Sequence, residues 1–167
     1  SVWEGWVDKD KPKMKKIWSR KYPYSIGLFY SAITKAIGLK PQEDEYITMG
    51  MAAYGEPKYY DDYKEILDYY NCHRGVPYVL KGYPNDIAAS AQLLVEEEII
   101  KIVKKYCHHQ NLVMMGGVAL NCVANSRVAK LGKKIWIMPN PGDCGSSLGA
   151  AALTYGKKIN WEHPYLG

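Results

Sequence analysis

A chain of 167 residues with 47% hydrophobic content is long enough for one buried core and too short for several. Its 22 Lys and Arg against 17 Asp and Glu leave a net charge of +5, which suits anionic ligands without requiring a nucleic acid. The longest apolar runs fall short of the ~20 residues that span a bilayer and no secretory h-region follows the start, so a cytoplasmic protein with no membrane partner is expected.

The cysteines Cys72, Cys107, Cys122 and Cys144 form no CxxC pair, which favours a reducing compartment. Cys72-His73 and Cys107-His108-His109 lack the ligand spacing of zinc modules, and adjacent side chains diverge. A structural zinc is therefore not expected.

The opening stretch SVWEGWVDKDKPKMKKIWSRK interleaves Trp3, Trp6 and Trp18 with lysines, a pattern able to stack bases and hold phosphates. An edge strand with a solvated turn around Pro12 explains it as well, and nucleic acid is the less favoured partner. After Pro23, Ile26, Phe29, Ile33 and Ile37 recur at helical spacing, with Gly38 where a helix ends. The block EYITMGMAAYGEP, around Gly50, Tyr54 and Gly55, reads either as a loop in close approach to a ligand or as a plain turn between helices. Pro57 then opens a tyrosine-rich helix to about Tyr70, and GVPYVLKGYP reads as a strand.

Residues 85–109 carry the clearest helix, with Asn85 or Asp86 as its cap and Ile87, Ala91, Leu94, Val95, Ile102, Val103 and Tyr106 as its apolar stripe. The last third reads as strand, helix, strand, helix: NLVMM, GGVALNCVANSRVAKLG, KKIWIMPNPGD and CGSSLGAAALTYG. In a parallel α/β unit the two glycine-bearing turns lie side by side at the carboxyl ends of the strands, where such sheets bind ligands.

Gly116 and Gly117 have no Cβ to hold a ligand away from the backbone, and the helix expected from Val118 onward offers free N–H groups. Asn121 is expected one turn in, presenting a donor and an acceptor, with Asn125 one turn further on the same face. A turn of this kind also serves simply to pack a helix on a sheet. Asp143, between Gly142 and Cys144, reads either as a carboxylate for a divalent metal or as a cap of the following helix.

The blocks GGVALNCVANSRV and IWIMPNPGDCGSSLGAAAL closely resemble those of the O-carbamoyltransferases of the nodulation-factor and antibiotic-tailoring type. YPYSIGLFYSAIT, EYITMGMAAYGEP and NDIAASAQ resemble that family's upstream blocks in the same order. The resemblance implies an α/β fold, a ribonuclease-H-like lobe of the actin and sugar-kinase ATPase superfamily with a mixed sheet flanked by helices, similar to the ATPase of tRNA threonylcarbamoyladenosine synthesis. Residues 1–167 would form one domain, the C-terminal lobe of a larger domain, with the N-terminal lobe and a YrdC-like domain outside this chain.

By the same likeness Gly116, Gly117, Val118 and Asn121 match the segment that holds adenosine, and Asp143 matches a metal-binding aspartate near the phosphates. Gly50, Tyr54, Gly55 and Asn125 would add to the site wall. The implied cofactors are ATP and a divalent metal, Fe or Mn, with Mg as the third option. The implied reaction passes a carbamoyl group from carbamoyl-adenylate, made from carbamoyl phosphate and ATP, to an unidentified acceptor hydroxyl. A sugar-kinase-like phosphotransferase and a non-catalytic nucleotide-binding module are the alternatives.

The chain departs from the family pattern at Ile47, where a lysine is usual, and at Tyr24, where a histidine is usual. No His-x-x-x-His pair occurs among His73, His108, His109 and His163. The isolated chain is therefore expected to be inactive.

Overall fold

The computed structural model describes residues 1–9, 11–78, 80–156 and 159–160. It is α/β: six helices and four strands among the described residues, the strands in two separate two-stranded sheets. The mixed sheet expected from the resemblance is thus divided, one pairing antiparallel and the other parallel.

β1 (Val2–Asp8) and β2 (Lys11–Trp18) pair antiparallel, with Trp6 opposite Lys13 and Asp8 opposite Lys11. The turn therefore falls before Lys11. Pro12 pairs with Val7 inside the strand, which corrects the expected turn at that proline; a two-stranded ribbon is all edge, where a missing N–H is tolerated. Trp18 stacks on Tyr106 with ring centroids 5.1 Å apart, tying the base of the hairpin to the helical body.

α1 (Ile26–Ala36) starts at Ser25, whose hydroxyl accepts from the Leu28 N–H. It ends as the sequence predicts: Gly38 takes φ +90°, its N–H bonds to Lys35 C=O, and the Leu39 N–H bonds to Thr34 C=O. This paired closure uses carbonyls that the helix itself leaves free.

α2 (Glu45–Met51) and a 3₁₀ turn at Ala52–Tyr54 replace the expected loop. Short side chains there permit a helix as readily as a coil, and burial against α4 (Pro84–Tyr106) decides between them. α3 (Tyr60–Tyr69) begins three residues after Pro57. No strand forms in the described part of residues 75–84. Among the described residues no second strand lies alongside to take up its backbone hydrogen bonds, so its β-rich composition has no partner there.

α4 is the central element, packed against α1, α2, α3 and α5 (Cys122–Ala129). Phe29, Ile33, Ile66, Leu67, Leu94, Val95 and Val128 are fully buried around it. Its N-cap is Tyr83 with Pro84 in the first turn, so neither Asn85 nor Asp86 caps it. Asp86 is turned instead toward the segment that follows the 3₁₀ turn.

β3 (Asn111–Met114) and β4 (Lys134–Ile137) pair in parallel, Leu112 opposite Ile135 and Val113 opposite Trp136. Leu112, Met114 and Ile135 pack on the core, while Val113 and Trp136 are exposed on the other face. α6 (Gly145–Tyr155) closes the described fold. No helix among the described residues is long and apolar enough to cross a membrane.

Candidate functional site

The parallel register of β3 and β4 places the two glycine-bearing turns next to each other, as the strand order predicts. Gly116 N–H donates to the Pro141 carbonyl at 2.6 Å, a direct backbone bond between the turn after β3 and the turn after β4. Gly116 holds φ +89° and ψ 163°, a region open essentially to glycine alone that costs other residues about 1–3 kcal/mol.

Packing does not account for these glycines. A Cβ built on Gly116 or on Gly117 meets no described atom within 4 Å, whereas one on Gly55 would run into the Asn85 carbonyl and one on Gly145 into the Asn140 carbonyl. Gly55 and Gly145 are therefore glycines of close packing, and the space over Gly116-Gly117 is open. Gly55 approaches the first turn of α4, so the near neighbour of the EYITMGMAAYGEP block is protein.

Gly117–Leu120 forms a 3₁₀ turn, and α5 begins only at Cys122. This corrects the helix expected from Val118. Asn121 is the N-cap of α5, its Oδ1 accepting from the Ala124 N–H at 3.0 Å, and not a residue one turn inside. The cap side chain competes well with one more turn of helix, which is why the 3₁₀ turn stops there. Val118 points into the core cluster, close to Gly27 of α1, while the N–H groups of Gly117 and Val118 have no backbone acceptor among the described residues. Two backbone donors beside the open space over Gly116-Gly117 thus lack a backbone partner among the described residues.

The Asn121 amide also pairs with the Gln92 amide of α4: Gln92 Nε2 donates to Asn121 Oδ1 at 3.0 Å, and Asn121 Nδ2 donates to Gln92 Oε1 at 2.9 Å. Gln92 was not singled out as a site residue from the sequence, although it ends the NDIAASAQ block. Asn125 donates through Nδ2 to the Ala119 carbonyl at 2.8 Å, holding the 3₁₀ turn from behind, and its Oδ1 is buried without a partner among the described residues.

Asp143 is exposed, and its side chain makes no hydrogen bond or ion pair among the described residues; only its carbonyl is engaged, by the Ser146 N–H at 3.0 Å. Cys144 is the N-cap of α6 and no side chain caps that helix. The capping role open to Asp143 in the sequence is not taken. No cluster of three His, Cys, Asp or Glu side chains able to hold a metal occurs among the described residues, and His163 lies outside them.

α2 borders the site through Met49, whose Sδ lies 3.9 Å from Cys122 Sγ. Gly50 follows in the same helix with open space where its Cβ would stand, and Tyr54 is 83% exposed. In the first turn of α4, Asp86 Oδ1 accepts from the Glu56 N–H at 2.9 Å and Oδ2 from Lys58 Nζ at 2.8 Å. The backbone N–H and then the Lys58 ammonium hold the Asp86 carboxyl below its ordinary pKa. Ser90 Oγ accepts from the Tyr59 N–H at 3.0 Å and donates to the Asp86 carbonyl at 2.7 Å. One face of α4 therefore fixes residues 55–59, and Gln92 fixes the start of α5.

A family model described as the carbamoyltransferase N-terminus matches residues 5–152. The protein sll1178 of Synechocystis is 34% identical, over 97% of this chain and 32% of its own length. The nodulation protein NolO of Bradyrhizobium diazoefficiens is 31% identical over 77% of this chain and 28% of its own. The nodulation protein NolNO of Sinorhizobium fredii is 30% identical over 77% of this chain and 22% of its own. The chain thus spans about a third or less of the length of these relatives.

Proposed function

The chain belongs to the carbamoyltransferase N-terminus family, and from that premise we propose that it forms the nucleotide-binding wall of an ATP-dependent O-carbamoyltransferase. The observation that carries the reading is the open space over Gly116 and Gly117, where a Cβ would meet no described atom and the Gly117 and Val118 N–H groups have no backbone acceptor among the described residues. Backbone N–H groups at such a turn suit the polar edge of a nucleotide. Gly116, Gly117, Val118 and Asn121 would hold it, with α2 at Gly50 beside them. Tyr54, Gly55 and Asn125 support this wall from the flanks.

In this reading ATP and carbamoyl phosphate supply the carbamoyl group in activated form, as carbamoyl-adenylate made in a YrdC-like domain. The acceptor oxygen attacks the carbamoyl carbon, the carbamoyl–phosphate bond breaks, AMP leaves and the hydroxyl proton is released. The turn residues orient the adenylate and offer N–H groups to developing negative charge. No side chain described here stands as general base.

Asp143 is the residue that would meet a divalent Fe, Mn or Mg ion. As a lone carboxylate it does not make a metal site, so no step is assigned to the ion. The ribonuclease-H-like, actin-type lobe and the pairing with an N-terminal lobe belong to the same proposal.

Calorimetric titration with ATP tests the reading. We expect the native chain to bind and Gly117→Ala, whose new methyl occupies the open space, to bind at least about tenfold more weakly with unchanged thermal stability. Equal affinity in the two proteins would overturn it.

A further inference from the structure

A chain of polar side chains, buried at Tyr30, Gln92 and Glu96, links α1, α4 and α5. Tyr30 Oη donates to Gln92 Oε1 at 2.8 Å, Gln92 Nε2 donates to Glu96 Oε1 at 2.7 Å, and Arg127 Nη1 donates to Glu96 Oε2 at 2.7 Å. The orientation of Gln92 follows from its ends. A carboxylate paired with a guanidinium only accepts, so Nε2 faces Glu96. Burial, and then Glu96 and Glu45, push the Tyr30 hydroxyl well above its ordinary pKa, so it keeps its proton and donates to Oε1.

Gln92 then meets Asn121 with one remaining hydrogen and one remaining lone pair, and both are used. On Asn121, Oδ1 accepts from Gln92 Nε2 and from the Ala124 N–H, which fills its two lone pairs. Nδ2 gives one hydrogen to Gln92 Oε1 and keeps the other, with no further acceptor among the described residues. An isolated asparagine at this place would offer a ligand both polarities, and this one does not.

We propose that Gln92 is a positioning residue that locks the Asn121 amide, so that Asn121 offers a ligand over the glycine turn one N–H donor and no acceptor. The group it recognises is an acceptor, such as a ribose or phosphate oxygen or an unprotonated ring nitrogen, and not an amino group. The ligand part of this inference rests on the nucleotide reading above; the locking of the amide does not.

Two measurements on the purified protein test it. In a nitrogen-15-labelled sample, one Asn121 Nδ2 proton exchanges with water at least about ten times more slowly than its geminal partner, and Gln92→Met removes the difference. Fast exchange of both protons in the native protein would overturn the lock. The second is ATP titration of the native protein, Gln92→Met, Asn121→Ser and the double variant, with thermal unfolding of each. Serine retains the α5 cap and removes the amide.

Gln92→Met weakens ATP about tenfold alone and less than about twofold when Asn121 is already serine. Losses that multiply would show Gln92 acting on the fold and not through Asn121, which overturns the positioning role. A native protein that binds no ATP overturns the nucleotide reading, and proton exchange then decides the lock by itself.

Discussion

Gly116 N–H reaches across to the carbonyl of Pro141 at 2.6 Å, so the turn after β3 and the turn after β4 are one backbone unit. Two consequences differ for the neighbouring glycines. Gly116 has φ +89° and ψ 163°, so Gly116→Ala loses about 1–3 kcal/mol of stability in urea unfolding whether or not a ligand exists. Gly117 does not take a positive φ and has open space beyond it, so Gly117→Ala unfolds within about 0.5 kcal/mol of the native chain. Of these two glycines, Gly117 is therefore the one at which stability and ligand affinity separate.

Gly50 and Gly55 make the opposite pair. Gly50 lies inside α2 with open space around it, so Gly50→Ala gains helix propensity and raises stability by about 0.5–1 kcal/mol. At Gly55 an added methyl runs into the Asn85 carbonyl, which forces the 3₁₀ turn off α4 and loses about 1–3 kcal/mol. Urea unfolding of both variants checks the signs. ATP titration of Gly50→Ala then shows whether α2 borders the ligand, since a loss of affinity beside a gain of stability has no packing origin.

The particular misreadings have a common physical origin. α1 and its Gly38 closure, the apolar stripe of α4 and the strand–helix alternation after residue 110 were legible because propensity and periodicity there agree with the final packing. The helix at residues 45–51, the absent strand in the described part of 75–84 and the true cap of α4 were decided by partners distant in sequence. Asp86 illustrates this: at the start of a helix it reads as a cap, yet Glu56 and Lys58 claim both of its oxygens. At the site, Gly116, Gly117 and Asp143 were visible as residue types at a turn. The commitment of Asn121 to Gln92 was not, because no local pattern couples positions 92 and 121.

Asp86 links stability to pH. Its carboxyl has a folded-state pKa below the ordinary value of 3.8, through the Glu56 N–H first and Lys58 second. A depressed carboxyl stabilises the fold above the unfolded pKa and loses that contribution as pH falls through the folded one. Asp86→Asn is therefore less stable than the native chain at pH 7, and the two converge below about pH 4. Denaturant titration across pH 2–7 checks this; parallel curves would mean that Asp86 is not the group that titrates.

Arg127 carries the last prediction, because it is the cation that the buried Glu96 relies upon. The Glu96 side chain is 8% exposed and that of Arg127 36%, so removing the guanidinium leaves a carboxylate largely cut off from water with only Gln92 as donor. Loss of one partner of a buried pair costs about 3–5 kcal/mol, and the partial exposure of Arg127 brings the expected loss for Arg127→Met to roughly 2 kcal/mol at pH 7. Neutralising the orphan reverses most of it: Arg127→Met with Glu96→Gln recovers about half or more, since a glutamine there no longer strands a charge. The pair also reports on the site. If Glu96 orients Gln92 and Gln92 orients Asn121, Arg127→Met changes the exchange of the Asn121 amide protons through that chain of hydrogen bonds. Denaturant unfolding and side-chain amide exchange on the same three proteins settle both claims, because a purely electrostatic defect at Glu96 lowers stability and leaves the Asn121 protons as they were.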